Sequence, residues 1–209
     1  MKIWGTKNLG NPVRVAIFLA EKGIDVPFVD VDLFGKAHLT DEYRAKNPVA
    51  QVPVLELDDG TFISETVAIC RYFERIHPEP PLMGVGPVGE AVVEMWQRRI
   101  EFQFYDAARH VFRHSAEFIR VLEPEQIAPW AEHNRPKVIA ALDMMDAQLA
   151  GNRFIAGPDF TVADITAILP FQILALLDIK LPDHCRAVAR WHEEVLARPS
   201  VASVIGERG

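Results

Sequence analysis

Cysteine is nearly absent from this chain, with only Cys70 and Cys185 in 209 residues. They lie far apart and form no C-x-x-C pair. That excludes a disulfide framework and a thiol-only metal site, and it fits a reducing compartment. An excess of positive charge is missing as well. Lys and Arg number 22 against 29 Asp and Glu, a net charge of −7. Nucleic acid is therefore not an expected partner, because neutralising phosphates takes clustered cations. Long hydrophobic runs are also lacking. The run VAIFLA is too short for a signal peptide and opens within a Gly/Asn/Pro turn. The longest apolar stretch, ITAILPFQILALLDI, is interrupted by Pro170, Gln172 and Asp178 and cannot span a bilayer. The expectation is a cytoplasmic protein without a membrane partner.

The elements that are present fall into two parts. Residues 2–4 read as a strand. Asn11 suits an N-cap, Pro12 the first helical position, and Gly23 the stop of a helix ending at Lys22. In FVDVDL (28–33), Val29, Val31 and Leu33 alternate with Asp30 and Asp32, predicting a strand with one buried face. VPVLEL, the Asp59-Gly60 turn signal and TFI predict a hairpin, and Ser64 is expected to cap a helix ended by His77-Pro78. The Pro- and Gly-rich stretch 78–89 reads as a linker. Beyond it, helical patterns occupy about 90–118, 130–150, 162–178 and 185–197. Thr161 and Asp164 have capping-box spacing, with Phe160 and Ile165 placed as the flanking staple. The expected architecture is a small α/β domain (1–78), a linker (79–89) and an all-helical domain (90–209).

Two dipeptides of the first domain suggest ligand chemistry. Pro53 begins a segment that must pair with TFI, and a proline there removes a ladder donor. A special conformation at Val52-Pro53, cis for instance, turns the Val52 backbone outward, where strand-like pairing with an extended peptide becomes possible. An edge-strand proline is the plainer alternative. Glu65 and Thr66 sit at a helix start, where a carboxylate is stabilised by the dipole without any ligand. They also suit an amino-acid head group, with Glu65 taking its ammonium and Thr66 its carboxylate.

The stretches GNPVRVAIFLAEKGIDVPFVDVDL, KNPVAQVPVLELDDGTFISETVAICRYFE, PEPPLMG, WQRRIEF, FTVADI and ARPSV together resemble a cytosolic glutathione transferase. The likeness runs from the first strand almost to the last residue. It is strongest to the bacterial and fungal subgroup, typified by an atypical yeast enzyme that lacks the usual Tyr, Ser or Cys. The resemblance implies a thioredoxin-like domain followed by an α-helical bundle domain, a homodimer, glutathione as co-substrate, no metal, and detoxification-type chemistry on an electrophilic small molecule. It also implies that Val52-Pro53 is a cis pair holding the cysteinyl backbone and that Glu65 and Thr66 hold the γ-glutamyl end. Gln51 and His38 would contact the glutathione backbone and glycine carboxylate.

Against that family the turn TKNLGNP lacks a reactive side chain. Alignment with the phi class puts Leu9 where a serine stands. Alignment with the nu class puts Leu9 at a threonine and keeps its asparagine as Asn11. Activation of the thiol then falls to Gly10 and Asn11 at the helix start. Lowering a thiol pKa by about two units takes roughly 2.7 kcal/mol. A helix dipole supplies about 0.3–1 kcal/mol and at best about 2, so direct N–H donors must add to it.

In the first long helix of the second domain, Arg99, Phe102, Asp106, Arg109 and Arg113 share one face at helical spacing. Trp96, Ile100, Phe104 and Val111 share another, which reads as core. Leu9, Phe102, Asp106, Arg109, His110, Arg113 and His114 are the electrophile-site candidates, and His110, His114 and Ser115 are candidates to position a water. The histidines match no ligand motif, so no metal is expected. The expected function is conjugation of glutathione. The alternatives are a glutathione-dependent disulfide reductase or peroxidase and a non-catalytic glutathione-binding module.

Overall fold

The computed structural model describes residues 1–206; the last three residues of the expected helical domain lie outside the described part. The chain divides into two compact units. One comprises Met1–Pro81 with the chain from Pro199 onward, and the other comprises Leu82–Arg198. Each folds around its own core.

In the first unit, β1 (Lys2–Trp4), β2 (Phe28–Val29), β3 (Val54–Glu56) and β4 (Phe62–Ser64) form one sheet in the order β2-β1-β3-β4. The β1–β2 pair is parallel and the other two are antiparallel. This is the thioredoxin-like arrangement that the resemblance implies. Helix α1 (Pro12–Lys22) is the βαβ crossover. It buries Val13, Val15, Ile17, Phe18 and Leu19 with Ile3, Leu55, Ile69 and Phe73. Gly23 ends α1 in the left-handed region (φ 66°), and the next N–H, of Ile24, reaches back to the Leu19 carbonyl at 2.9 Å. Short α2 (Asp41–Arg44) precedes β3, and α3 (Thr66–Ile76) follows β4.

Several expectations change. The strand read from 28 to 33 pairs only at Phe28 and Val29, because three-residue β1 offers no further partner. The alternation survives as burial: Val31 is buried and Asp30 and Asp32 are exposed. Asp32 instead folds the chain away, its Oδ1 accepting from the Gly35 N–H at 2.7 Å. Ser64 ends β4 and does not cap α3; the N-cap is Glu65. Asn11 occupies the N-cap position of α1, but with helical backbone angles and no capping bond from its side chain.

The second unit contains helices and loops, with an isolated β-bridge between Phe154 and Gly157 and no strand among the described residues. It holds α4 (Gly86–Arg99), α5 (Asp106–Ser115), α6 (Ala128–Leu149), α7 (Val162–Leu176) and α8 (Arg186–Leu196). The linker is thus shorter than composition suggests: Gly86 already opens α4, with Pro87 in its first turn. Between α4 and α5, Ile100–Tyr105 form a π-helical segment. Helix α9 (Pro199–Ile205), which the expected boundaries grouped with the helical domain, packs on α1 in the first unit, where Ser200 Oγ donates to the Glu21 carboxylate. No helix among the described residues is long and apolar enough to cross a membrane.

Candidate functional site

The strand register brings the ends of β1, β3 and β4 that adjoin Gly5, Pro53 and Glu65 together at one sheet end. Trp4 pairs with Val54, and Val54 pairs with Ser64. The chain therefore leaves β1 at Gly5, enters β3 from Pro53 and leaves β4 at Glu65, side by side. Gly5 (φ 144°) lies against the start of α1 and the proline. A Cβ built on it would stand 3.0 Å from Pro12 Cγ and 3.5 Å from Pro53 Cα. Only glycine fits that gap without displacing one of them. Thr66 is buried, and its Oγ1 accepts from Arg14 Nη1, which ties the start of α3 to α1.

Val52-Pro53 is cis. Neither the ladder nor any loop hydrogen bond among the described residues engages the Val52 N–H or C=O. Its side chain packs with Trp4, Leu33 and Ala37 on a cluster of Val31, Tyr43 and Val54. Just before it, the Gln51 carbonyl accepts from Tyr43 Oη at 3.0 Å and Asn47 Nδ2 at 2.8 Å. Gln51 is therefore held at its carbonyl while its side chain stays exposed. His38 follows Ala37 of the same cluster, and its Nδ1 is buried without a hydrogen-bond partner. Burial, with a smaller contribution from the Arg44 guanidinium, lowers its pKa, which favours the neutral imidazole.

Glu65 is exposed and adopts φ 67°, ψ 116°. For a residue with a Cβ such a backbone costs about 1–3 kcal/mol and persists only where its surroundings impose it. The carboxylate then stands beside a helix start whose first N–H groups, those of Thr66 and Val67, have no partner among the described residues. Thr66 Oγ1 accepts from Arg14 and keeps its own proton to donate.

In the opening turn, Leu9 is 39 % exposed and its N–H reaches the Thr6 carbonyl at 3.2 Å. Gly10 takes φ 66°, and a Cβ there would meet nothing within 4 Å. Its glycine is required by backbone conformation, with open space above it. Helix α1 has no acidic residue in its first turn, so no carboxylate competes for its positive end.

The candidates of the second unit have separate partners. A π-helical segment, Ile100–Tyr105, lies among them. Arg99 lies over the Trp96 ring, 4.8 Å from its centroid, and Phe102 is exposed beside Arg98. Asp106 and Arg109 pair with each other at 2.9 Å, while Arg113 turns to Glu123 at 3.0 Å. His114 Nδ1 accepts from the Ile127 N–H at 3.2 Å, and Ser115 donates to the Val111 carbonyl at 2.7 Å. His110 stacks on His114 and meets the edge of Trp130. The three residues read as water-positioning thus have partners inside the helical unit. Trp96, Ile100, Phe104 and Val111 are buried, as core should be.

Sequence reasoning missed Arg14, Tyr43 and Asn47. Arg14 had a signal, a lone cation inside the apolar run VRVAIFLA. The anchors of Gln51 had none, since their partner is a backbone carbonyl.

The models described as Glutathione S-transferase, N-terminal domain, and Glutathione S-transferase, C-terminal domain, match residues 12–81 and 102–199. Glutathione S-transferase 2 of Saccharomyces cerevisiae is 34% identical over 208 residues, covering 98% of this chain and 89% of that protein. Glutathione S-transferase 3 of Zea mays is 31% identical over 213 residues, covering 98% of this chain and 93% of that protein. Among solved structures, a glutathione S-transferase domain-containing protein of Marinobacter aquaeolei superposes with a TM-score of 0.92 at 39% identity, covering 96% of this chain and all of the other. Gtt2 from S. cerevisiae superposes with the same score at 34% identity, covering 98% of this chain and 100% of that one. The chain belongs to the glutathione S-transferase family.

Proposed function

We propose that this chain binds glutathione at the sheet end built from residues 5–11, 51–53 and 65–66, stabilises its thiolate at the start of α1 and transfers it to an electrophilic small molecule. The sulfur attacks the electrophilic atom, a C–S bond forms, and the leaving group departs with its electron pair. The observation that carries this reading is the row of three strand ends at Gly5, Pro53 and Glu65, set by the strand register. In that row, the Val52 N–H and C=O pair with the cysteinyl backbone in the manner of an added strand. The Glu65 carboxylate takes the γ-glutamyl ammonium, and the Thr66 hydroxyl with the first N–H groups of α3 takes the adjoining carboxylate. Gln51 and His38 hold the glycine end, His38 as a neutral N–H donor.

For the sulfur, this turn offers amides and the dipole of an 11-residue helix in place of a hydroxyl. Gly10 leaves room for the approach, Asn11 stands at the N-cap position, and Leu9 presents an apolar contact to the electrophile. A homodimer in the cytoplasm is part of the same reading, supported by the family and by two free cysteines.

The test is a pH titration of the thiolate absorbance of glutathione bound to the purified protein. A pKa well below that of free glutathione supports the transferase. Binding with an unshifted pKa overturns thiol activation and leaves a binding module. Turnover of an aryl halide against a hydroperoxide and a mixed disulfide then separates conjugation from reduction.

A further inference from the structure

Composition and motif argue against a metal, yet the folded helical unit assembles three metal-type donors that are not close in sequence. Asp143 on α6 meets His184 and Cys185 on the loop entering α8, and their ligand atoms lie within 4.8 Å of one another. His184 Nε2 is 2.7 Å from Asp143 Oδ1, and Cys185 Sγ is 3.7 Å from the same oxygen.

The local fold explains this meeting. Asp143 and Asp146 are three residues apart and share one face of α6. Asp146 Oδ1 accepts from the N–H groups of Ala187 at 2.8 Å and Val188 at 3.0 Å, fastening the first turn of α8 onto α6. The Cys185 N–H closes a turn on the Pro182 carbonyl at 2.9 Å, which sets His184 beside it. Cys185 is buried, whereas the side chains of His184 and Asp143 are 68% and 51% exposed. The cluster is therefore closed on the sulfur side and open to solvent on the other.

An exposed His–Asp pair alone is worth little, and a buried cysteine alone is packing. Together they are more: the Cys185 thiol and His184 Nε2 both hydrogen-bond to Asp143 Oδ1, so a sulfur, a nitrogen and a carboxylate from two separate elements meet at one point. We propose that Asp143, His184 and Cys185 form a Zn²⁺ site at the junction of α6 and α8, with water as the fourth ligand. The donor set selects the metal, since thiolate plus imidazole plus carboxylate suits zinc, whereas Mg²⁺ and Ca²⁺ take oxygen ligands. Zinc bond lengths of about 2.0–2.3 Å in a tetrahedron put ligand atoms roughly 3.3–3.8 Å apart. The Sγ–Oδ1 separation of 3.7 Å already fits. The Nε2–Oδ1 separation must open, a movement within reach of an exposed ring. On binding, the Cys185 thiol gives its proton to solvent and coordinates as thiolate. Burial, then the Asp146 and Asp143 carboxylates, push this thiol up to about 11, so the metal must displace its proton.

The experiment is a Co²⁺ titration of the metal-free full-length protein without glutathione, which would compete as a thiol. A sulfur-to-cobalt charge-transfer band with tetrahedral d–d bands should saturate at one equivalent and vanish when Zn²⁺ is added. Cys185→Ser should abolish the charge-transfer band, and His184→Ala and Asp143→Asn should weaken binding at least about 10–100-fold. Should Cys185→Ser fail to fold, the exposed His184 variant still decides. Zn²⁺ should raise the Tm of the unmodified protein and not that of His184→Ala. Absence of the band at millimolar Co²⁺, or affinity unchanged in both His184→Ala and Asp143→Asn, overturns the site.

Discussion

At the start of α7, the chain satisfies its own amides. The Thr161 N–H donates to Asp164 Oδ2 at 3.0 Å, the Ala163 N–H to Thr161 Oγ1 at 3.3 Å, and the Val162 N–H to the Leu82 carbonyl at 2.9 Å. Asp164 is fully buried and also accepts from the Ile155 N–H and Trp191 Nε1, at 2.8 and 2.9 Å. The starts of α1 and α3 lack that closure to different degrees: the Val13 and Arg14 N–H groups of α1 reach the Gly10 and Asn11 carbonyls at 3.3 and 3.2 Å, while those of Thr66 and Val67 in α3 have no partner among the described residues. Neither helix has a side-chain cap or an acid in its first turn, and the residue entering α3 carries a strained backbone. A helix start completed from within serves stability. A start whose first amides have no internal acceptor, as at α3, is suited to an anion, and the proposed glutathione site makes use of it.

Breaking α7's side of the comparison should give the largest effect. Asp164→Ala leaves four buried donors without their acceptor and removes the bond that joins α7 to Trp191 of α8. Losing one partner of a buried charged network costs about 3–5 kcal/mol. For a chain of this size each kcal/mol moves Tm by roughly 2–4 °C, so calorimetry should register a fall of about 10 °C or more. The variant that remains folded should bind glutathione as before. A loss of only a few degrees would mean that α7's start is held by packing and not by its cap.

These helix starts were unequally legible. Thr161 and Asp164 stand out because a capping box is local chemistry, a hydroxyl and an acid three residues apart. Pro12 and Gly23 bracket α1 for the same reason, since each residue type encodes its own backbone angle. At α3, Ser64 is the residue a cap rule selects, but it belongs to β4, and Glu65 takes the N-cap through a left-handed φ that nothing in its side chain announces. That angle is imposed by the hairpin before it and the buried Thr66 after it. In the second unit the π segment Ile100–Tyr105, among the residues grouped by 3.6-residue spacing, was not legible either, nor were the separate partners of Arg99 and Arg113. At Val52-Pro53 and Glu65-Thr66 the placement of a proline and an acid marked unusual backbone in the sequence, the resemblance supplied the proposed ligand, and the register sets the two dipeptides side by side.

Glu65 sharpens the comparison with two substitutions. Glu65→Ala should weaken glutathione binding by about 10–150-fold, the range for losing a hydrogen bond to a charged group at about 1.5–3 kcal/mol. Isothermal calorimetry reads this directly, while Tm should move by only a few degrees. Glu65→Gly removes the same carboxylate but also relieves the backbone at φ 67°. It should bind as poorly as the alanine variant and be the more stable of the two by about 1 kcal/mol. If alanine and glycine melt together, the backbone at Glu65 stores no strain, and the contrast with α7 rests on capping alone. If Glu65→Ala keeps its affinity, the assignment of the γ-glutamyl end falls.

The smallest effect concerns pH and again separates α7 from the starts of α1 and α3. Burial pushes the Asp164 carboxyl up to about 6, against the hydrogen bonds from the Ile155 N–H, Trp191 and Thr161. Its ordinary value is 3.8, so between these limits the folded chain binds a proton that the unfolded chain does not. The contribution of this group to stability is therefore greatest below pH 3.8 and is lost as pH rises through about 6. From pH 7 to pH 5 it should grow by about 1 kcal/mol, a few degrees in Tm. Other groups titrate in the same range, so the measurement is a difference between the unmodified protein and Asp164→Asn, which carries no proton to gain. That difference in Tm should widen as pH falls from 7 to 5. A constant difference would mean that the four donors, and not burial, dominate the carboxylate, keeping it ionised throughout that range and making α7's cap independent of pH.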